Sequence, residues 1–310
     1  MPELPEVTTT VKGLQKVLPK LVITSVWTDL SKKNQTIKQY IDTIKSDVFF
    51  KKFKNKITGR KIINVERRAK NILINITEGQ TILIHLKMTG HLLYGKYVFN
   101  KKENKWSPDK NERASLFDPY NRFIHVVFEF SNKKYLVFCD TRKFGKVTLF
   151  KTDYLNTTSH LKNIGPEPLD KSFTFPKFKN RLLLKPNGKI KTVLIDQSII
   201  AGIGNIYSDE MLWSAGIHPE SNPQKIPETI MLKLYTEMKN VLSKGIDFGG
   251  DSMSDYRNID GERGNFQNHH NVYQKKNTKC GKRGCLGVIM RKVIDGRSAH
   301  FCDTHQKLFN

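Results

Sequence analysis

The start of the chain places a secondary amine beside two carboxylates. After loss of the initiator methionine the chain begins Pro2-Glu3-Leu4-Pro5-Glu6. Proline is the only residue whose free α-amine is secondary, so its attack on an aldehyde carbon gives a charged iminium, which is an electron sink. An α-amino group titrates near pH ~8 in model peptides, so a useful fraction is unprotonated at neutral pH. The segment predicts an amine nucleophile with carboxylates at hand for proton transfer.

A structural interpretation of the same residues is also open. Pro5 suits the first turn of a helix, where Glu6 interacts favourably with the helix dipole. Apolar residues at helical spacing follow, and Pro19 closes the segment: Val7, Val11, Leu14, Leu18. The pattern predicts an amphipathic first helix. The segment alone does not decide between the two interpretations.

A second group of residues near the other end has the spacing of a metal site. Cys280, Cys285, Cys302 and His305 follow the pattern C-x4-C-x16-C-x2-H. Two short ligand pairs separated by a strand-turn-strand length satisfy the tetrahedral N/S coordination of zinc, and four protein ligands leave no position open for catalysis. We predict one structural Zn²⁺, the alternative being unpaired surface cysteines. The remaining thiol, Cys139, lies among apolar residues and is predicted to be buried.

The charge of the chain favours a polyanionic partner. There are 53 Lys and Arg residues against 29 Asp and Glu, a formal net charge of +24. These basic residues are spread through the structured segments, which favours nucleic acid over a merely cationic surface. No apolar run approaches the roughly 20 residues of a membrane span, and no signal peptide opens the chain. We therefore expect a cytoplasmic, nucleoid-associated protein whose thiols are reduced or metal-bound.

The first half of the chain is rich in short β-type runs. Several alternate apolar and polar residues and predict an antiparallel sandwich or barrel: VITSVW, KIINVE, NILINI, TILIHL, IHVVFEF, YLVFCD. The polar stretch 98–121 fits neither helix nor strand and is interpreted as a surface insertion. A turn-rich segment around GPEPL marks a domain connection, in keeping with a length that suggests two domains.

The second half has a helical pattern. One helix, a glycine-rich turn and another helix beginning near Asn205 are predicted. Gly202 and Gly204 let a ligand approach the backbone, and a helix N-terminus suits phosphate, although such glycines also commonly make a corner between packed helices. A long amphipathic helix follows around Met231–Leu242. The polar, glycine-rich segment 249–268 after it is interpreted as a mobile loop over a site.

Together these segments resemble the formamidopyrimidine-DNA glycosylase family, within the wider group that includes endonuclease VIII. The resemblance covers nearly the whole chain and rests on motifs in the family's order: PELPEV, RRAKNILI, LIHLKMTG, DTRKFG, GPEPL, LIDQ, AGIGNIYSDE, AGIHP, DSMSDYRNIDGERGNFQ, GRSAHFC.

The resemblance implies an α+β protein. Its N-terminal catalytic domain, residues 1–155, would be a β-sandwich flanked by helices. Residues 156–270 would form a helix-two-turn-helix DNA-binding domain with the lesion loop, and residues 271–310 a zinc finger. Double-stranded DNA with oxidised bases or abasic sites would run across the cleft between the domains of a monomer.

The resemblance also implies the catalytic residues. Pro2 would attack C1′ of the damaged nucleotide, release the base and drive β,δ-elimination of both phosphates. Glu3 would protonate the departing sugar oxygen, for which it must stay partly protonated near neutral pH. Glu6 would be a second carboxylate in the site. Lys70 would contact phosphate beside the lesion.

Further DNA contacts follow from the same resemblance. His85, Asn205 and the catalytic-site residue Arg297 would complete a clamp on the bent backbone. Extrusion of a nucleotide leaves a gap, which Met88, Arg142 and Phe144 would fill as an apolar wedge and a guanidinium. Two further expected DNA-binding residues are Lys143 and Tyr273.

The chain departs from the family pattern at five places. His305 stands where a fourth cysteine is common, and the first ligand pair is C-x4-C instead of C-x2-C, both of which zinc tolerates. Lys143 stands where arginine is frequent. An arginine guanidinium can bind phosphate through two donors at once, whereas a lysine ammonium acts as a point charge. The residues QKKN after Tyr273 and the insertion 98–121 have no assigned role.

Two rival functions stay open from the sequence. An endonuclease VIII-type enzyme would excise oxidised pyrimidines with the same proline chemistry, but that branch usually has glycine in place of Leu4, and the segment 249–268 resembles the loop of the purine-specific branch. A non-catalytic protein that binds damaged DNA is disfavoured by Pro2, Glu3 and Lys70.

Overall fold

The chain forms two compact units. The computed structural model describes all 310 residues. The first unit comprises residues 1–162 and 249–265, and the second comprises 163–248 and 266–310. Our predicted boundaries differ from this division, because the chain returns to the first unit over 249–265, here called the return loop. The zinc hairpin, predicted as a separate domain, is grouped with the helices of the second unit.

The first unit is built on two four-stranded antiparallel sheets. One sheet has the order β1-β8-β9-β5 and the other β10-β4-β3-β2. The strand bounds are β1 Ile23–Thr28, β2 Ile62–Arg68, β3 Asn71–Ile76, β4 Gln80–His85, β5 His91–Gly95, β6 Tyr97–Asn100, β7 Lys105–Pro108, β8 Ile124–Phe130, β9 Tyr135–Cys139 and β10 Lys146–Lys151. The predicted fold class is confirmed, and all six predicted runs are strands.

Two helices complete the core of this unit. Helix α1 (Leu4–Val17) begins at a capping box and has Pro5 in its first turn. Helix α2 (Asp47–Ile57), which we did not predict, begins at Ser46, whose hydroxyl accepts a hydrogen bond from the Phe49 amide. Buried side chains of both helices and both four-stranded sheets form one apolar cluster. Burial of this apolar area is the main stabilisation of the unit.

The insertion 98–121 is more regular than its composition predicts. Strands β6 and β7 pair as a hairpin, and two short 3₁₀ turns follow at Ala114–Phe117 and Pro119–Arg122. The hairpin is held by aromatic packing, since the rings of Phe99 and Trp106 lie 5.1 Å apart and both contact Trp27. Aromatic burial therefore outweighs the charged composition.

The second unit is mainly helical. Its helices are α3 (Phe175–Leu182), α4 (Ile190–Ile195), α5 (Asn205–Ala215) and α6 (Glu228–Asp247), and strands β11 (Ile289–Ile294) and β12 (Arg297–Cys302) form a hairpin. The predicted helix-turn-helix and long amphipathic helix are both present. Helix α5 ends at Gly216, which adopts the left-handed conformation that closes helices. No helix of the chain has the length and hydropathy needed to cross a membrane.

Helix α6 has a glycine that packing requires. A Cβ on Gly245 would lie 2.4 Å from the Tyr207 ring of α5. Gly245→Ala raises helix propensity, yet we expect it to lower the free energy of unfolding by roughly 1–3 kcal/mol because the two helices must separate. The exposed neighbour Ser243 is the matched control, and Ser243→Ala should be neutral or stabilise by about 0.5 kcal/mol. Urea unfolding followed by circular dichroism measures both, and equal effects would contradict the packing argument.

Candidate active site and zinc centre

The predicted nucleophile lies at the start of α1. Pro2 and Glu3 are both buried, while Met1 is 47% exposed. Glu3 and Glu6 form a reciprocal capping box, and the Glu3 amide donates to Glu6 Oε2 at 2.7 Å. Helix capping therefore fixes the direction in which the N-terminal residues leave the helix. The same turn places the two predicted carboxylates beside Pro2.

Glu6 also holds the return loop. Its Oε1 accepts a hydrogen bond from the Asp251 amide at 2.7 Å, and its backbone oxygen accepts one from the Tyr256 hydroxyl at 3.0 Å. Gly250 has φ +87°, and a Cβ there would lie 2.9 Å from the Glu6 side chain. Only glycine fits this approach without strain. One buried carboxylate thus joins the N-terminus to a segment far along the chain.

Lys70 and His85 lie at the same end of the neighbouring strands β3 and β4. Lys70 is buried in the turn between β2 and β3, where Ala69 adopts φ 53°. The next residue, Asn71, is directly opposite His85 on β4. Burial, followed by the charges of Lys87 and Lys70, lowers the pKa of His85 to about 3. His85 is therefore neutral at physiological pH, and the Lys87 amide donates to its Nδ1 at 3.0 Å.

The predicted gap-filling residues lie on two loops joined by Asp140. This buried carboxylate accepts hydrogen bonds from Thr89 Oγ1 at 2.5 Å and from the Gly145 amide at 2.6 Å. All three predicted gap-filling side chains are exposed: Met88, Arg142 and Phe144. The guanidinium of Arg142 lies 4.6 Å from the Phe144 ring centroid. The hydrogen bonds of Asp140 therefore hold the backbone of both loops, and these loops expose two apolar side chains and one guanidinium to solvent.

In the second unit, buried Lys191 ties α4 to α5. Its Nζ donates to Asp209 Oδ1 at 2.6 Å and to the backbone oxygen of Asn205 at 2.9 Å. The other oxygen of Asp209 accepts hydrogen bonds from the amide of His300 at 3.0 Å. Both charges of the pair are fully buried, so each requires the other. This network connects Asn205, at the start of α5, to strand β12, whose first residue is the exposed Arg297.

Glu210, the next residue of α5, organises the chain before the zinc hairpin. Its carboxylate accepts hydrogen bonds from the amides of Asn271, Val272 and Tyr273 at 2.8–3.1 Å. Successive amides that converge on one anion fix the backbone of this turn. The ring of Tyr273 meets the ring of His300 edge-on at 5.1 Å. Tyr273 and β12 are therefore both oriented from α5.

The four predicted metal ligands come together. The ligand atoms of Cys280, Cys285, Cys302 and His305 lie within 4.8 Å of one another. The sulfurs of Cys285 and Cys302 are 3.6 Å apart, near the roughly 3.8 Å edge of a tetrahedron with zinc–sulfur bonds of about 2.3 Å. The Gly287 amide donates to Cys285 and lowers the pKa of its thiol, which favours the ligating thiolate. These residues fit one closed, structural Zn²⁺ site.

Comparison with known proteins agrees with this arrangement. The formamidopyrimidine-DNA glycosylase N-terminal domain family matches residues 1–147, and the H2TH domain of formamidopyrimidine-DNA glycosylase matches residues 164–257. Together these two matches cover most of the chain. The chain belongs to the formamidopyrimidine-DNA glycosylase family.

Relatives of the same family align over their full length. Formamidopyrimidine-DNA glycosylase of Pelotomaculum thermopropionicum is 36% identical, over 99% of this chain and 100% of the relative. The Bacillus subtilis enzyme is 34% identical, over 97% and 98% respectively. The solved complex of Lactococcus lactis Fpg with abasic-site DNA has a TM-score of 0.79 at 30% identity, covering 98% of this chain and 99% of that one. A complex of wild-type L. lactis Fpg with N7-benzyl-Fapy-dG DNA gives the same TM-score and identity, over 99% and 100%.

Within each unit, the predicted site residues lie on connected elements. The first unit contains Pro2, Glu3, Glu6, Lys70, His85, Met88, Arg142, Lys143 and Phe144; the second contains Asn205, Tyr273, Arg297 and the zinc ligands. Sequence reasoning missed the buried charges that position them, namely Asp140, Lys191, Asp209 and Glu210. The signal for the last two was a pair of adjacent acidic residues inside a helix with no other charged residue.

The zinc site can be tested through its own tryptophan. Trp213 Nε1 donates to the Cys280 sulfur at 3.4 Å, and its ring meets His305 edge-on. We expect Cys302→Ser to lower the zinc content of the protein and its affinity for DNA. Chelation should change the fluorescence of Trp213, and this change should vanish in Trp213→Phe. Full zinc occupancy of the Cys302→Ser variant would contradict the ligand set.

The lowered pKa of His85 predicts a pH effect on stability. The unfolded chain binds a proton below about pH 6.5 and the folded chain only near pH 3, so stability is lost as the pH falls through this window. In a fluorescence unfolding titration, His85→Asn should lose less stability than the parent protein between pH 7 and pH 5, by roughly 1–2 kcal/mol. Identical pH profiles would mean that His85 becomes protonated in the folded state.

Proposed function

We propose that this protein is a bifunctional DNA glycosylase and AP lyase of base excision repair that acts on oxidised purines. The observation that carries the proposal is the N-terminus, where Pro2 and the buried Glu3 precede α1 and are fixed by the Glu6 carboxylate. The relatives bear the name formamidopyrimidine-DNA glycosylase over their full length, and the L. lactis complexes contain abasic-site and Fapy-dG DNA.

In the proposed mechanism the free amine of Pro2 attacks C1′ of the damaged nucleotide. The bond between C1′ and the base breaks, and the base leaves with its electron pair and takes up a proton. The proline nitrogen, which is positively charged after the attack, loses its proton and regains a lone pair. Glu3 protonates the ring oxygen of the sugar, the sugar ring opens, and this lone pair forms the iminium double bond to C1′. Loss of a C2′ proton then expels the 3′ phosphate, and a second elimination expels the 5′ phosphate.

DNA binding is assigned to the polar and cationic residues of both units. In the first unit, Lys70 and neutral His85 would contact phosphate, as a cation and as an uncharged donor. In the second unit, Asn205 begins a helix whose free amides suit phosphate, and Arg297 contributes a fork of donors. The cation–π pair Arg142–Phe144 and the exposed Met88 would occupy the gap left by an extruded nucleotide.

A preference for oxidised purines is supported by the return loop. This loop is anchored on Glu6, next to the proposed nucleophile, and is thus placed to fold over a base. Structural zinc would serve DNA binding by shaping the hairpin that carries Arg297. A protein with this task would act in the cytoplasm at the nucleoid.

The proposed nucleophile can be tested by borohydride trapping. A duplex with a single 8-oxoguanine opposite cytosine should give a covalent adduct, whereas Pro2→Gly should sharply slow strand cleavage while duplex binding persists. The intact mass of the protein must first show that Met1 is removed, since otherwise the amine is blocked. Unchanged cleavage by Pro2→Gly would remove Pro2 from this role.

A thymine-glycol duplex and an undamaged duplex complete the experiment. Trapping on the oxidised purine alone agrees with the proposal. Trapping mainly on thymine glycol would assign the protein to the endonuclease VIII branch. A free Pro2 amine without any adduct would favour a protein that only binds damaged DNA.

A further inference from the structure

The insertion 98–121 contacts the return loop at two positions. At the first, Arg257 of the loop forms an ion pair with Asp118 of the insertion, with nitrogen–oxygen distances of 3.0 and 3.1 Å. At the second, Asp260 of the loop pairs with Arg113, and its backbone oxygen accepts a hydrogen bond from Ser115 Oγ at 2.6 Å. The insertion is thus attached to the loop by side chains at both positions.

The Arg257–Asp118 pair is the stronger attachment. Arg257 is only 2% exposed, and its Nη1 also donates to the backbone oxygens of Ser254 and Tyr256, both at 2.8 Å. Its guanidinium lies 4.9 Å from the Tyr120 ring centroid. Asp118 is itself oriented, because its second oxygen accepts the Tyr120 amide at 2.9 Å. A buried guanidinium organised in this way depends on its carboxylate partner.

Close packing reinforces the second position. Gly261 of the loop has φ +83°, and a Cβ there would lie 2.6 Å from the backbone oxygen of Ser115. Arg113 also donates to the backbone oxygen of Tyr94 at 3.1 Å, which ties the contact to strand β5. The Tyr94 amide in turn donates to the backbone oxygen of Ile259 at 2.7 Å. The loop therefore lies between the insertion and the sheet.

The opposite end of the same loop reaches Glu6, whose carboxylate fixes the N-terminus. Only a few residues separate Arg257 from Asp251, whose amide donates to Glu6, and Tyr256 lies between them with its hydroxyl on the Glu6 backbone. A change in the conformation of residues 254–257 must alter these contacts. The chain thus provides a short mechanical link from the insertion to the N-terminal site.

We propose that the insertion 98–121 is a brace that sets the conformation of the return loop, and that Asp118 is a positioning residue for excision of the base. This inference rests on the proposed function. A loop that is ordered before the substrate arrives does not lose its conformational entropy on binding. The brace should therefore matter for the step in which the loop contacts a base.

The two activities of the protein should depend on the brace to different extents. Excision of 8-oxoguanine requires the base to be held, whereas an abasic site presents no base to the loop. Loss of the brace should slow excision and leave strand cleavage at a preformed abasic site nearly intact. A general loss of folding would instead lower both.

The test is Asp118→Asn, which keeps the hydrogen bond to the Tyr120 amide and removes the charge that Arg257 faces. Under single-turnover conditions with saturating protein, we expect the excision rate on an 8-oxoguanine duplex to fall about tenfold or more, since small misplacements near a site have effects of this size. Cleavage of the matched abasic-site duplex should stay within about twofold of the parent rate. Amide hydrogen exchange of residues 249–265 should become faster.

Two further variants serve as controls. Asp118→Glu restores the charge and should recover excision. Asp47→Asn, which removes an exposed ion pair with Lys51 elsewhere in the first unit, should change neither rate nor the exchange of the loop. If Asp118→Asn does not fold, as judged by circular dichroism, Arg113→Gln at the partly exposed second position replaces it, with the same expected pattern.

Each outcome decides the inference. Slower excision with retained abasic-site cleavage and faster exchange supports the brace. Faster exchange with an unchanged excision rate overturns the role of Asp118, as does an equal loss of both activities in a folded variant. A parent protein that neither excises 8-oxoguanine nor cleaves abasic sites would instead contradict the proposed function itself.

Discussion

The candidate site of the first unit depends on the carboxylate of Glu6. Its two oxygens accept amide hydrogen bonds from Glu3, at the start of the chain, and from Asp251, on the return loop. Glu6 is 1% exposed, so loss of either amide would leave a buried acceptor poorly satisfied at a cost of about 1–3 kcal/mol. The geometry of the N-terminus and the position of the loop are consequently fixed together. The capping box of helix α1 therefore positions both the N-terminus and the return loop.

The second unit uses buried carboxylates in a similar way. Asp209 and Glu210 lie side by side on α5, and each bonds a different piece of chain: Lys191 and His300 for the first, the turn 271–273 for the second. The exposed residues assigned to DNA are therefore mounted on buried polar networks instead of flexible surface segments. In both units the groups that hold the site are buried, ionisable side chains that are hydrogen-bonded. This arrangement pre-organises the surface that nucleic acid would meet.

Much of this could be predicted from the sequence, and the exceptions have physical causes. The strands and the zinc ligands carry local signals, namely alternation and ligand spacing; the predicted strands form, and the four ligand residues come together. Helix α2 and the hairpin β6–β7 were not predicted. Both segments contain many charged residues, and the few apolar and aromatic side chains whose contacts stabilise them form no recognisable pattern in the sequence. The candidate site residues followed from motif resemblance and their roles are still predictions. The buried pairs that position them join residues distant in sequence, such as Arg257 and Asp118, and no local pattern reveals such pairs.

The network of Lys191, Asp209 and His300 has a consequence for the modularity of the protein. The buried carboxylate of Asp209, on helix α5, accepts hydrogen bonds from Lys191 of α4 and from His300 of strand β12. The zinc hairpin is therefore not structurally independent of these helices. A chimera that receives only residues 271–310 from a distant relative would set a foreign β12 against this Asp209. Recombination or protein engineering that keeps the surface formed by these elements would have to transfer α4, α5 and the hairpin together. Evolution of helix α5 and strand β12 is coupled for the same reason.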